Sequence, residues 1–230
     1  MTLRISKALV IALVCLVLSS KGFKKSAWMT PYGSAVRGVN NAKFALETLK
    51  SKGVTRIYLD VFTGGYIYAQ SKTYSKLVGG DTRPDFLATL CTAAQAVGGV
   101  EIVAWFEYGL IASSSQSLDN YGQRAKENGW ILGKAGSHYW LNPANSGLRT
   151  FYSNMVKDIV NNYKKYSSFK GIQLDDHFSV PNTLGGSSEA HGLDQLIQLI
   201  AKSIGSKWVS LSPSPMPESL KSRTPTGRSG

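Results

Sequence analysis

Few residues in this sequence can form disulfides or hold a metal. Its 230 residues include two cysteines, Cys15 and Cys91, and three histidines, His138, His177 and His191. Cys15 lies in an N-terminal apolar run, and removal of that run would leave a single cysteine and exclude an intrachain disulfide. The histidines form no HxxxH pair, which disfavours a zinc site. We therefore predict a domain that depends on its core and needs no metal or cofactor.

Motifs for nucleotide binding and for nucleophilic catalysis are missing as well. No Gly-rich dinucleotide fingerprint follows the first predicted strand, and no G-x-x-x-x-G-K-[ST] occurs, which weighs against a nucleotide-binding open sheet. No G-x-S-x-G occurs either, and Cys91 falls on the apolar stripe of a predicted helix, so serine or cysteine nucleophiles lack support. The glycine pairs at 64–65 and 79–80 are more typical of turns than of phosphate-binding loops.

Acidic residues are scarce: 14 Asp and Glu stand against 26 Lys and Arg, a formal net charge of +12. Such a balance can favour nucleic acid, anionic membranes or acidic polymers such as cell-wall glycans. The lysines are scattered, however, and no basic run is interleaved with aromatic residues. We therefore expect a solvated, soluble surface and no nucleic-acid partner.

The apolar run at the N-terminus is too short to span a bilayer. Arg4 and Lys7 precede the apolar residues 8–18, and small residues follow near position 20. This pattern is typical of a secretory signal peptide, which we place at residues 1–25. An N-terminal core strand or an uncleaved anchor are the alternatives. The expected location is secreted, periplasmic or at the cell envelope, without a stable membrane span after cleavage.

After residue 25, short runs rich in β-branched and aromatic residues alternate with longer segments of helical periodicity. This alternation predicts an α/β fold with βα units and a parallel sheet, in either a doubly wound layer or part of a (β/α)8 barrel. Long segments follow the second, third and fourth strands, where α/β enzymes build their sites. The predicted strands are 26–30, 55–62, 100–108, 169–176 and 207–213, and the predicted helices are 42–52, 84–97, 148–163 and 193–204.

Carboxylates lie where two of these predicted strands end. The third strand ends near Glu107, and the fourth ends at Asp175 and Asp176. Side chains alternate along a strand, so one aspartate should face the cleft while the other turns towards a neighbouring loop or strand. Any single carboxylate could instead cap a loop or form an ion pair, but three at adjacent strand ends exceed what turns require. Two carboxylates that flank a bond can hydrolyse a glycoside, one as acid and the other as nucleophile or base.

Aromatic residues in the same loops could stack on sugar rings. The candidate catalytic residues are therefore Asp175, Asp176 and Glu107, and the candidate substrate-binding residues are Trp105, Tyr108, Trp140, Asn142 and His177. A core role is the alternative for Trp105, because aromatic residues in strands usually pack. Asn142 could instead shape its loop together with Pro143. A divalent metal at the Asp-Asp-His run is the rival chemistry, and the lack of further histidines at helical spacing disfavours it.

Five segments together resemble the glycosyl-hydrolase-like 10 family. They are "KGVTRIYLDVFTGGYIYAQS", "VAWFEYGLIAS", "HYWLNPANSGLRTFYSNMVKDIVNNY", "GIQLDDHFSVP" and "WVSLSPSP", in the order and spacing of the family. The resemblance covers roughly residues 26–216 and implies a TIM barrel with glycosidase activity on a polysaccharide, such as peptidoglycan or a related cell-wall glycan. It also implies a catalytic acid at the end of the fourth strand, without deciding between Asp175 and Asp176.

The resemblance ends near residue 216. Family members continue with further βα units, whereas residues 217–230 are basic, rich in Ser, Thr, Pro and Gly, and without periodicity. We expect a signal peptide at 1–25, a partial barrel of about five βα units at 26–216 and an irregular tail at 217–230. A non-catalytic glycan-binding remnant, or an inactive truncated one, is therefore the alternative to a hydrolase. The sequence makes no prediction of oligomeric state.

Overall fold

A computed structural model describes residues 25–80, 83–113, 118–175 and 178–205, and the backbone of residues 208–211. The expected signal peptide, apart from residue 25, and the expected tail lie outside the described residues. Within the described part of the chain, no helix has both the length and the apolar character needed to cross a bilayer.

Nine strands and six α-helices make up the described chain. The strands are β1 (Lys25–Met29), β2 (Val54–Thr63), β3 (Tyr66–Ile67), β4 (Glu101–Phe106), β5 (Ile111–Ser113), β6 (Ile131–Ala135), β7 (His138–Leu141), β8 (Phe169–Leu174) and β9 (Trp208–Leu211). The helices are α1 (Val39–Ser51), α2 (Lys72–Val78), α3 (Phe86–Val97), α4 (Asn120–Glu127), α5 (Ser146–Tyr163) and α6 (Ser187–Ile204), and a short 3₁₀ helix covers Ser34–Val36.

The main sheet has the order β1-β2-β4-β8-β9, and all four of these pairings are parallel. Helical crossovers connect each strand to the next in this order, which confirms the predicted βα units. This is the arrangement of the first five strands of a (β/α)8 barrel, and the described strands do not close into a barrel. Strand β3 pairs antiparallel with β2, and β5, β7 and β6 form a separate antiparallel sheet.

The two faces of the main sheet carry different side chains. One face belongs to the large core, in which strand residues such as Ile57 and Ile102 pack with residues of the helices. The other face, which we call the inner face, forms a small separate cluster of Tyr58, Val103 and Trp105, against which Trp28 packs, and none of the described helix residues belongs to it. Helices on one face and strand side chains alone on the other are the layers of a barrel wall, not of a doubly wound sheet.

Polar side chains decide where the helices begin. Asp85 caps α3 by accepting a hydrogen bond from the N–H of Ala88 at 2.9 Å, so the helix begins at residue 86 and not at the predicted Pro84. Helix α6 begins six residues before the apolar pattern that predicted it. Its first turn is closed by Glu189, whose carboxylate accepts the N–H of Gly186 at 2.8 Å.

The segment after β4 is more ordered than the long loop predicted from the sequence. It contains α4 and the antiparallel sheet of β5, β6 and β7, whose strands are three to five residues long. Such short strands leave little periodicity, because most of their stability comes from pairing with each other and packing on the core. Trp130 anchors the segment by packing on Phe151 of α5, with ring centroids 5.2 Å apart.

Helix α6 packs closely at Gly192 against the backbone of residues 143–144, and we predict that alanine at position 192 is destabilising. A Cβ atom at Gly192 would lie 2.5 Å from the backbone N of Ala144 and 2.5 Å from the carbonyl O of Pro143. Glycine to alanine inside a helix normally stabilises, but overpacking against backbone costs about 1–3 kcal/mol. Urea denaturation should show a lower free energy of unfolding for Gly192→Ala, while Gln198→Ala, on the exposed side of the same helix, should change little. A stabilised Gly192→Ala variant would contradict the close packing of α6.

Candidate active site

Three carboxylates converge where adjacent parallel strands end. Asp60 lies near the end of β2, Glu107 directly follows β4, and Asp175 directly follows β8. These strands are neighbours in the sheet, so their carboxyl ends meet at one edge. The N–H of Asp175 donates to the carbonyl of Phe106 at 3.2 Å, which extends the pairing of β4 and β8 up to the carboxylates. The predicted convergence of Glu107 and Asp175 is thus observed, and Asp60 joins them.

Hydrogen bonds from neighbouring strand ends orient two of these groups. The hydroxyl of Thr63, the last residue of β2, donates to Oε2 of Glu107 at 3.3 Å. The backbone N–H of Tyr108 lies 3.4 Å from Oδ2 of Asp175 and donates to it. Both carboxylates are half-buried, so they combine defined positions with access from solvent.

The backbone of Tyr108 is held in an unusual conformation. Its φ of 51° lies in the left-handed region, which costs a residue with a bulky side chain about 1–2 kcal/mol. Surrounding contacts keep it there: its ring stacks on His138, with centroids 6.4 Å apart, and the next carbonyl, of Gly109, accepts a hydrogen bond from the buried hydroxyl of Tyr152. This conformation aims the Tyr108 N–H at Asp175, an instance of strain at a candidate functional site.

Asp60 is a site residue that the sequence reasoning missed. It sits inside the apolar run "IYLDVF", and its side chain is fully buried (0% exposed). Burial raises its pKa well above the ordinary value, and the negative charge of Glu107 raises the pKa further, with a smaller contribution from Asp175. A charged residue within an otherwise apolar strand was the available signal, because such residues are rarely buried without a specific role.

Asp60 belongs to a row of buried polar side chains across the inner face of the sheet. It pairs in register with Trp105 of β4, and Trp105 pairs with Gln173 of β8. The carboxylate oxygens of Asp60, Nε1 of Trp105 and Oε1 of Gln173 are all buried without a hydrogen-bond partner among the described residues. Trp105 is only 9% exposed and packs with Tyr58 and Val103, so it has the core contacts that the sequence left as an alternative.

The other predicted binding residues lie in different surroundings. Trp140 is 9% exposed and belongs to the large core, not to the cluster around Trp105. Asn142 uses its Oδ1 to accept the N–H of Ala144 at 2.9 Å, which shapes the turn before α5. Asp176 and His177 lie outside the described residues, so their roles stay predictions.

An exposed aromatic ring stands beside the carboxylates. Tyr32 follows β1 and is 63% exposed, and its ring lies edge-on to Tyr68 with centroids 6.4 Å apart. Partial burial raises the pKa of its hydroxyl to about 12, and the nearby Tyr68, Asp60 and Glu107 add to the shift. The hydroxyl is therefore close to the carboxylate edge while the ring faces solvent. The sequence reasoning did not single out this residue.

A metal site and a cysteine nucleophile are the alternative chemistries. Among the residues that the structure describes, no three His, Cys, Asp or Glu side chains are grouped as a metal site would require, and Asp176 and His177 of the Asp-Asp-His run lie outside those residues. Cys91 is buried in α3, and burial raises the pKa of its thiol to about 12, which keeps it from acting as a nucleophile.

The fold and the site together define an α/β barrel-type domain with a carboxylate cluster at the carboxyl edge of its parallel sheet. Residues 25–196 match the profile of the glycosyl hydrolase-like 10 family, and the chain belongs to that family. None of the curated proteins is significantly similar to it in sequence.

Several solved structures, named as amylases, are similar to this chain over part of their length. The "Putative alpha Amylase" from Salmonella typhimurium matches with a TM-score of 0.50 and 15% identity, over 80% of this chain and 30% of its own. An alpha-amylase from Lactobacillus plantarum matches at 0.48 and 14% identity, over 89% and 48%. The catalytic domain of a beta-amylase from Paenibacillus polymyxa matches at 0.44 and 22% identity, over 65% and 36%. The chain thus spans less than half of each of these structures. Of the three, the match with a TM-score of 0.50 bears on the fold, and its 15% identity supports nothing beyond the fold.

We predict that Asn142 shapes its turn and does not hold substrate. Asn142→Ala should lower the free energy of unfolding by about 1 kcal/mol, because the N–H of Ala144 loses its acceptor. Asn142→Asp keeps that acceptor and should retain most of the stability. Chemical denaturation measures the first effect, and the affinity of both variants for glycan, measured by calorimetry, should equal that of the unmodified chain. A loss of affinity without loss of stability would restore the binding role.

Proposed function

We propose that this chain is a glycoside hydrolase domain that acts on a polysaccharide, with peptidoglycan or a related cell-wall glycan as the substrate class. The observation that supports the proposal most directly is the convergence of Asp60, Glu107 and Asp175 at one edge of the sheet. Acid and base chemistry on a glycosidic bond needs two carboxyl groups in one cleft. The family membership and the basic composition, which suits an anionic polymer, agree with it.

The positions of the carboxyl groups suggest a division of roles. A carboxyl group at the end of β8, Asp175 or Asp176, protonates the glycosidic oxygen as that bond breaks. Glu107 acts from the end of β4 as the charged partner, either attacking the anomeric carbon or taking a proton from the attacking water. Thr63 orients Glu107, and the Tyr108 N–H orients Asp175. Preorganised groups of this kind lower the cost of reaching the transition state.

Substitution of the carboxylates tests the proposal. Glu107→Gln and Asp175→Asn should each lower the rate of reducing-end release from purified polysaccharide by about 10²–10⁴-fold, the usual contribution of an acid or base. Glu47→Gln and Asp194→Asn, two exposed positions on α1 and α6, are the matched controls and should leave the rate unchanged. Full activity in Glu107→Gln would contradict the assignment. Glycan binding without any turnover in the unmodified chain would favour the non-catalytic binding protein instead.

Tyr32 gives a separate prediction about binding. A ring that is 63% exposed beside the carboxylates offers a stacking surface for a sugar. Tyr32→Ala should weaken glycan affinity about fivefold, a loss of roughly 1 kcal/mol, whereas Tyr32→Phe should keep most of it. Phe44→Ala is the matched control, because Phe44 is equally exposed (62%) but lies on the outer helix α1. Equal losses in Tyr32→Ala and Phe44→Ala, measured by calorimetry, would rule out a specific stacking role.

A further inference from the structure

The carboxyl group of Asp60 has no described donor to stabilise a negative charge. It is fully buried on the inner face of the sheet, and no N–H or O–H of the described residues donates to either oxygen in hydrogen-bonding geometry. The nearby N–H of Phe62 favours the charged form but makes no hydrogen bond of normal geometry. A buried carboxylate in this position would be an uncompensated charge, which proteins avoid by keeping the group neutral.

Among the described residues, the titratable groups that face Asp60 are acidic. They are the carboxylates of Glu107 and Asp175 at the neighbouring strand ends and the hydroxyl of Tyr32 from the loop after β1. Arg56, on the same strand, is engaged by Glu101, whose Oε2 lies 2.6 Å from its Nη2. A neutral carboxyl group can satisfy its own O–H by donating it to one of these acidic neighbours.

We propose that Asp60 is a neutral carboxylic acid whose O–H donates a hydrogen bond to the carboxylate of Glu107. Glu107 follows Trp105, the register partner of Asp60, by two residues, and Thr63 of the Asp60 strand donates to it, so the two carboxyl groups lie beside each other on neighbouring strands. Among the acidic groups, Glu107 also contributes most to the raised pKa of Asp60. Glu107 then accepts two hydrogen bonds, from Thr63 and from Asp60, which hold it at the end of β4. Asp60 is a positioning residue, since it is fully buried and reaches substrate only through Glu107.

The pair predicts a pH dependence of folding, which does not require activity. The raised pKa of Asp60 means that the folded chain holds a proton that the unfolded chain loses above about pH 4. The associated stability is present below that pH and is lost as the pH rises towards the folded pKa. Because Asp60→Asn does not titrate, the unfolding equilibrium constant of the unmodified chain relative to this variant should rise up to about tenfold per pH unit above pH 4.

The same comparison made in Glu107→Gln shows how much of the raised pKa of Asp60 comes from its pairing with Glu107 and how much from burial. Without the negative charge of Glu107, the folded pKa of Asp60 falls, and the rise in the ratio of unfolding constants ends at a lower pH. The total rise should be at least about tenfold smaller than in the unmodified background, which corresponds to one pKa unit. An equal rise in both backgrounds, or no rise in either, would overturn the proposal.

A spectroscopic measurement keeps the test independent of whether Asp60→Asn folds. Carboxyl ¹³C NMR of the unmodified full chain should show one aspartate resonance that titrates above the ordinary range. In Glu107→Gln this resonance should titrate at lower pH. A full set of aspartate resonances that titrate normally would overturn the proposal.

The catalytic consequence rests on the proposed function, and its test uses two variants of similar size. Asp60→Asn keeps an N–H donor for Glu107, whereas Asp60→Leu keeps none. The acid limb of the kcat/KM profile should shift to higher pH by about one unit in Asp60→Leu, as expected for loss of one charge-assisted hydrogen bond, and stay near the original in Asp60→Asn. Identical profiles would overturn the positioning role. Absence of hydrolysis in the unmodified chain would instead refute the proposed function and leave the folding and NMR tests of the pair intact.

Discussion

The candidate site depends on the parallel pairing of β2, β4 and β8. Parallel strands in neighbouring positions end at the same edge, so side chains from residues 60, 107 and 175 meet although they are far apart in sequence. The register matters as much as the direction. A slip of one residue would turn Asp60 and Glu107 to the helix-covered face and bring apolar side chains to the site.

The division between the two faces of the sheet explains how acidic groups can be tolerated at its edge. One face provides the stability, because it packs against the helices in a large apolar core. The inner face has only a small apolar cluster and carries the row of Asp60, Trp105 and Gln173, whose buried polar atoms have no hydrogen-bond partner among the described residues. Unsatisfied buried groups reduce stability, and the strained backbone of Tyr108 reduces it further. Losses of stability of this kind are typical of functional sites.

Much of the architecture could be predicted from residue patterns. Along the sequence, short runs typical of strands alternate with segments of helical periodicity, and these match the strands of the main sheet and the helices that cover it. Glu107 and Asp175 were recognised because they follow apolar runs at strand ends. The small antiparallel sheet after β4 was missed, since its strands are too short to show a period. Asp60 was missed because it lies before the end of its strand, where an alternating pattern cannot tell which face is enclosed.

The sequence by itself determined the α/β class, the family and the carboxylates at the ends of the third and fourth predicted strands, because these depend on local periodicity and on motifs in a fixed order. Only the tertiary structure decided which side chains share an environment. It brought Asp60 into the electrostatic surroundings of Glu107, gave Asn142 a hydrogen bond in the turn before α5, packed Trp140 in the core, and placed the exposed ring of Tyr32 near the carboxylates. Burial and electrostatic coupling arise from residues distant in sequence, so no local pattern encodes them.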